Sequence, residues 1–117
     1  MIQEQFAYSA KKILENNSNV VGLAVVGSWL TGELDKYSDL DLMIVTKDKI
    51  GGDRDKIVDY AASLGHLLSG FTGEHVGEPR VLICLFDNPL LHVDLKFLTL
   101  EEFHSRIETP IGTLRFR

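Results

Sequence analysis

The 117 residues include one cysteine, one tryptophan and three prolines. A lone cysteine leaves no partner for an internal disulfide, which suits a reducing cytoplasm. Cationic side chains are outnumbered, with 12 Lys and Arg against 17 Asp and Glu and a net charge of −5. That balance argues against a surface built to follow a nucleic-acid backbone, which needs clustered Lys and Arg. It counts equally against polymerase or tRNA-tailing work. No apolar run approaches the roughly 20 residues of a membrane span, and no basic-then-apolar leader opens the chain. Internal repeats, low-complexity segments and linkers are lacking too. What remains is an ordinary globular composition, 44% apolar and 25% charged, on a chain long enough for one core. The expectation is a single soluble, cytoplasmic domain over residues 1–117.

Periodicity orders the chain. Residues 2–16 carry Ile2, Phe6, Ala10, Ile13 and Leu14 near helical spacing, which predicts an amphipathic helix covering a sheet face. Val20–Val26 is apolar almost without break, as in a strand buried on both sides. A short helix is expected over 29–34, a polar crossing containing Asp35 over 33–37, and a second strand over 39–46. Gly51-Gly52 marks a turn. Ile57, Val58, Ala61, Leu64, Leu67 and Leu68 then recur at helical spacing, which predicts a helix through about residue 69 and places His66 within it. A short strand is expected over 71–76 and a stronger one over 80–86, where Cys84 reads as a small buried hydrophobe. Asp87-Asn88-Pro89 signals a turn into an antiparallel partner over 90–98. Thr99 and Glu102 have the spacing of a capping box, opening a helix to about residue 106. Residues 108–117 show no clear periodicity. His66, His75 and His104 share no metal-ligand spacing.

The chemistry concentrates between residues 27 and 45. Gly27-Ser28 follows the first apolar run, and Asp39-Leu40-Asp41 opens the second. A turn ending in Gly-Ser before a helix offers backbone N–H groups to a phosphate. On a strand, Asp39, Asp41 and Met43 share one face while Leu40, Leu42 and Ile44 share the other. Two carboxylates on one strand face repel each other unless a cation sits between them. A phosphate cradle beside a metal claw points to chemistry on a nucleoside triphosphate.

Gly27-Ser28, the spacing to Asp39-Leu40-Asp41, and the later His92-Val93-Asp94-Leu95-Lys96 together resemble the signature of the polymerase-β-like nucleotidyltransferase superfamily. The likeness is to its small branches, the minimal nucleotidyltransferases and the N-terminal domains of aminoglycoside-type adenylyltransferases. It implies an α/β (α+β) nucleotidyltransferase fold, a mixed twisted sheet with helices mainly on one face and the site at an open sheet edge. Residues 1–19 would form the N-terminal helix, 20–98 the catalytic core and 99–117 a C-terminal helix and tail.

The resemblance also assigns roles. Asp39, Asp41 and Asp94 would be catalytic residues and ligands of two Mg²⁺ ions, with Mn²⁺ as the alternative metal. Asp94 would take the acceptor proton directly or through water. Gly27 and Ser28 would hold phosphates, and Lys96 would reach a phosphate or pair with Asp94. The implied reaction moves a nucleoside monophosphate, AMP from ATP by family analogy, to a hydroxyl of a small molecule or partner protein and releases pyrophosphate. The alternative is a binding module, such as an antitoxin acting by complex formation with a helical toxin. A homodimer or a helical partner would close an exposed site.

Overall fold

A computed structural model of the protein describes residues 2–26, 40–87, 90–105 and 111–114, the side chains of Val26 and of 111–114 excepted. The described elements are α1 (Ile2–Leu14), β1 (Val20–Val26), β2 (Leu40–Thr46), α2 (Arg54–Ser63), β3 (His66–Gly73), a 3₁₀ turn (Glu74–Val76), β4 (Glu78–Asp87), β5 (Leu91–Thr99), α3 (Leu100–Ser105) and β6 (Ile111–Leu114). The strands form one mixed sheet in the order β3-β4-β5-β2-β1-β6. The expected α+β fold is therefore present. Pairing is antiparallel for β1 with β2, β1 with β6, β3 with β4 and β4 with β5, and parallel for β2 with β5. Gly27, Ser28, the expected helix over 29–34, Asp39, and the Asn88-Pro89 part of the turn lie outside the described residues.

One face of the sheet carries the core. Leu40, Leu42 and Ile44 of β2, and Val93, Leu95 and Phe97 of β5, are buried there with Leu82, Cys84 and Phe86 of β4. α1 covers this face with Gln3, Ala7, Ala10 and Leu14, a regular helical stripe whose two alanines are fully buried. Phe6 flanks the stripe and meets Phe86 with ring centroids 4.7 Å apart. Tyr8, on the other side of the helix, is 51% exposed. α2 is capped by Asp53, whose carboxylate accepts from the Lys56 N–H at 3.3 Å, and buries Ile57 and Ala61. The capping box is also formed: Glu102 N–H donates to Thr99 Oγ1 at 3.2 Å, and Thr99 N–H to Glu102 Oε1 at 3.0 Å.

Four expectations need correction. The helix expected through about residue 69 ends at Ser63, and His66 is the first residue of a strand. Leu64, Leu67 and Leu68 fit a helical period, but backbone pairing of His66–Gly73 with β4 overrides it. A bulge between Leu67 and Ser69 leaves Leu68 unpaired across the strands and 49% exposed, which is why no strand alternation is visible there. The expected strand over 71–76 is thus the end of a longer one, followed by the 3₁₀ turn. The unpatterned tail supplies β6, which pairs with β1. Finally, the carboxylates of β2 and β5 stand on the two central strands, not on an edge strand.

The entry into β4 depends on two glycines. Gly77 holds φ +79°, where a side chain is disfavoured. At Gly73 a Cβ would lie 2.7 Å from the Glu78 carbonyl oxygen, so only glycine permits this approach. Together they deliver Glu78 to the start of its strand.

Candidate active site

Strand alternation decides where the acids go. Because Leu40, Leu42 and Ile44 turn into the core, Asp41 and Met43 turn to the opposite face of the sheet. Burial of Val93, Leu95 and Phe97 likewise turns His92, Asp94 and Lys96 outward. In the parallel ladder Asp41 is the register partner of Asp94, and Met43 of Lys96. Neighbouring strands lie about 4.7–4.9 Å apart, so two carboxylates in register on one face stand side by side. They line a hollow of about 210 Å³ with Leu42, Met43, Val81 and Lys96. Asp41 is exposed, and Asp94 is half-buried beside its other cross-strand partner, Ile83.

Lys96 closes one side of this hollow. Its ammonium lies 3.4 Å from Glu78 Oε2. Glu78 in turn accepts from Arg80 Nε at 2.8 Å and from Arg80 Nη2 at 2.9 Å. Arg80 Nη1 donates to Glu102 Oε2 at 3.0 Å, and Lys49 Nζ reaches the same oxygen at 2.9 Å. The bonds from Arg80 hold the Glu78 carboxyl down at about 2, with Lys96 adding to the effect. For Glu102, burial pushes the pKa upward, but the Thr99 N–H, Lys49 and Arg80 outweigh it and bring the value to about 2. The Arg80 guanidinium is pushed above its usual range by the same contacts, Glu78 foremost.

Glu78, Arg80, Glu102 and Lys49 carry no signal in the sequence as a group. They come from three separated segments, and Gly77-Glu78-Pro79 reads as a turn that ends a strand. The strand in fact begins at Glu78 and runs through Pro79. Of the residues expected at the site, Asp41, Asp94 and Lys96 are brought to one hollow, whereas Gly27, Ser28 and Asp39 lie outside the described residues. Among the described residues, no three His, Cys, Asp or Glu side chains gather as a metal site.

The remaining candidates fall elsewhere. Cys84 is buried, and burial, with the Asp94 charge adding to it, pushes its thiol up to about 12. It is thereby kept protonated, as a core thiol rather than a nucleophile. His66 Nδ1 stands 3.7 Å from Asp87 Oδ2, at a cavity of about 410 Å³ on the helix side of the sheet, lined by Phe6, Leu64 and Phe86 among others. That cavity is larger than the hollow at Asp41, but the carboxylate pair and Lys96 do not line it. None of the described helices is long and apolar enough to cross a membrane.

Comparison with known families agrees with the geometry. Residues 8–112 match the family model described as "Nucleotidyltransferase domain". No curated protein matches the chain. The matched span includes every strand from β1 to β5 and both carboxylates of the hollow. With its mixed sheet and its helix-covered core face, the chain belongs to the nucleotidyltransferase domain family, within the polymerase-β-like superfamily, and its general activity is nucleotidyl transfer.

Proposed function

We propose that the protein is a Mg²⁺-dependent adenylyltransferase that moves AMP from ATP to a hydroxyl of a small molecule or partner protein. The observation that carries this reading is the register of Asp41 with Asp94 above an open hollow. Two carboxylates forced together in a folded sheet are costly without a cation, and their hard oxygen donors suit magnesium. Asp41 and Asp94 would hold the metal from two strands, and Asp39 would join them from the residue two before Asp41. When bound, a pair of divalent ions supplies charge neutralisation at the attacking and leaving oxygens.

The chain's own side chains account for the rest. Asp94 accepts the proton of the acceptor hydroxyl, directly or through a water. The hydroxyl oxygen forms a bond to the α-phosphorus as the α–β phosphoanhydride bond breaks, and pyrophosphate leaves with the electron pair. Lys96, cationic at the rim of the hollow, faces the phosphates. Gly27 and Ser28 bind the distal phosphates through backbone N–H groups and a hydroxyl. A cytoplasmic setting, rich in triphosphate and reducing toward a lone thiol, fits this reading.

The test is calorimetric titration of ATP with Mg²⁺, repeated in EDTA and with the Asp41→Asn variant. Binding that requires both the metal and Asp41 is expected. Equal binding by the variant would overturn the metal assignment. A binding module would bind its partner undiminished after loss of Asp94, whereas a transferase would lose turnover.

A further inference from the structure

We propose that Glu78 is a positioning residue for Lys96, holding its ammonium at the rim of the carboxylate hollow for delivery to an anionic substrate. The inference rests on the reading in which Lys96 meets a triphosphate. A lysine has a long flexible stem and a compact charge, so an unrestrained one spends little of its time at any single point. Lys96 is restrained. It lines the hollow with Asp41 and Asp94, and its ammonium is 3.4 Å from Glu78 Oε2.

The partner is itself immobilised. Arg80 clamps both oxygens of Glu78, at 2.8 and 2.9 Å, and the Arg80 backbone N–H adds a third bond at 3.2 Å. Arg80 is tied at 3.0 Å to Glu102, and Glu102 is fixed by the α3 capping box and by Lys49. A chain of contacts therefore runs from the start of α3 to the rim of the hollow. The strength of those contacts is unequal. Both carboxylate oxygens of Glu78 are already taken by Arg80 in charge-assisted bonds, and Lys96 approaches at a longer distance. Glu78 thus sets where the ammonium rests without consuming its bonding capacity. A phosphate entering beside Asp94 offers full acceptors and draws the ammonium across.

The deciding experiment measures Mg-ATP affinity by calorimetry for the parent, Glu78→Gln, Lys96→Met and the double variant, with thermal unfolding recorded for each. Glu78→Gln keeps the side chain's size and is expected to weaken affinity roughly 3- to 10-fold, with the double variant no weaker than Lys96→Met alone. Glu78→Asp, which keeps the charge, should recover part of the loss. Additive losses would mean that Glu78 does not act through Lys96. A Glu78→Gln variant that unfolds earlier yet binds like the parent would reduce Glu78 to a structural residue. Parent-like affinity in Lys96→Met would overturn the positioning role while leaving the adenylyltransferase reading intact. A parent that does not bind Mg-ATP would remove both.

Discussion

Asp41 of β2 is the register partner of Asp94 of β5 in the parallel pair at the centre of the sheet. Their side chains leave the same face, so each raises the cost of charge on the other. Replacing either by asparagine is expected to leave the fold intact and, in metal-free buffer, to stabilise it by about 0.2–1 kcal/mol, the scale of a cross-strand pair. Urea unfolding with and without Mg²⁺ checks this. The gain should vanish when the ion is present.

Function should respond in the opposite sense. Asp94→Asn is expected to retain much of the triphosphate affinity and to lose roughly 10²- to 10⁴-fold in turnover, the range of a positioned general base. Asp41→Asn is expected to lose metal-dependent binding itself. Single-turnover kinetics beside calorimetry would separate the two, and normal turnover by the Asp94 variant would take that residue out of the site.

Acid should unfold the protein partly through the ion network. The folded values of Glu78 and Glu102, both about 2, lie below the ordinary 4.5. The unfolded chain therefore binds protons first as pH falls, and the stabilisation, fully present above about 4.5, is lost progressively toward 2. Melting temperatures of the parent and of Glu102→Gln should differ most near neutral pH and converge as pH falls through that window. A constant gap across the window would contradict the assignment.

The strand at His66–Gly73 makes a sharp prediction about three leucines of one apparent helical stripe. Leu64 is 4% exposed, Leu67 packs partly against the core, and Leu68 is 49% exposed on the bulge. Leu64→Ala should cost about 2–5 kcal/mol, and Leu68→Ala less than about 0.5 kcal/mol. Comparable losses at both positions, measured by denaturant unfolding, would favour a continuous helix instead.

The turn before β4 gives a fifth test. Gly77→Ala places a side chain at φ +79° and is expected to cost about 1–2 kcal/mol. Chemical unfolding would measure it, and a neutral result would mean that the turn relaxes.

Much of this architecture is legible in the sequence, and the reasons are local. Val20–Val26 is apolar almost without break and the run from Val81 to Phe86 entirely so, while β5 alternates from Leu91 to Phe97, so its polar face is written in His92, Asp94 and Lys96. Asp41 and Asp94 are recognisable because alternation assigns each to the face away from the core. What is not legible is tertiary. Leu67 and Leu68 fit a helical period by chance, and only the partner strand reveals the bulge. β6 is four residues long, with a glycine at its second position and no alternating pattern, so nothing but β1 calls it into the sheet. The Glu78 network joins side chains from distant segments, and pairwise charges of that kind leave no spacing to read.

The parallel union of β2 and β5 also governs when the hollow comes into existence. Asp41 and Asp94 belong to strands separated by α2, β3 and β4, while β4 and β5 are joined locally as a hairpin. A hairpin closes on the microsecond scale, but a crossover pairing must first overcome the loop-closure entropy of the whole intervening segment. The two carboxylates are therefore strangers until that long-range pairing is made. A nascent or partly folded chain presents isolated aspartates, so under the proposed metal assignment metal affinity would report that this pairing has formed.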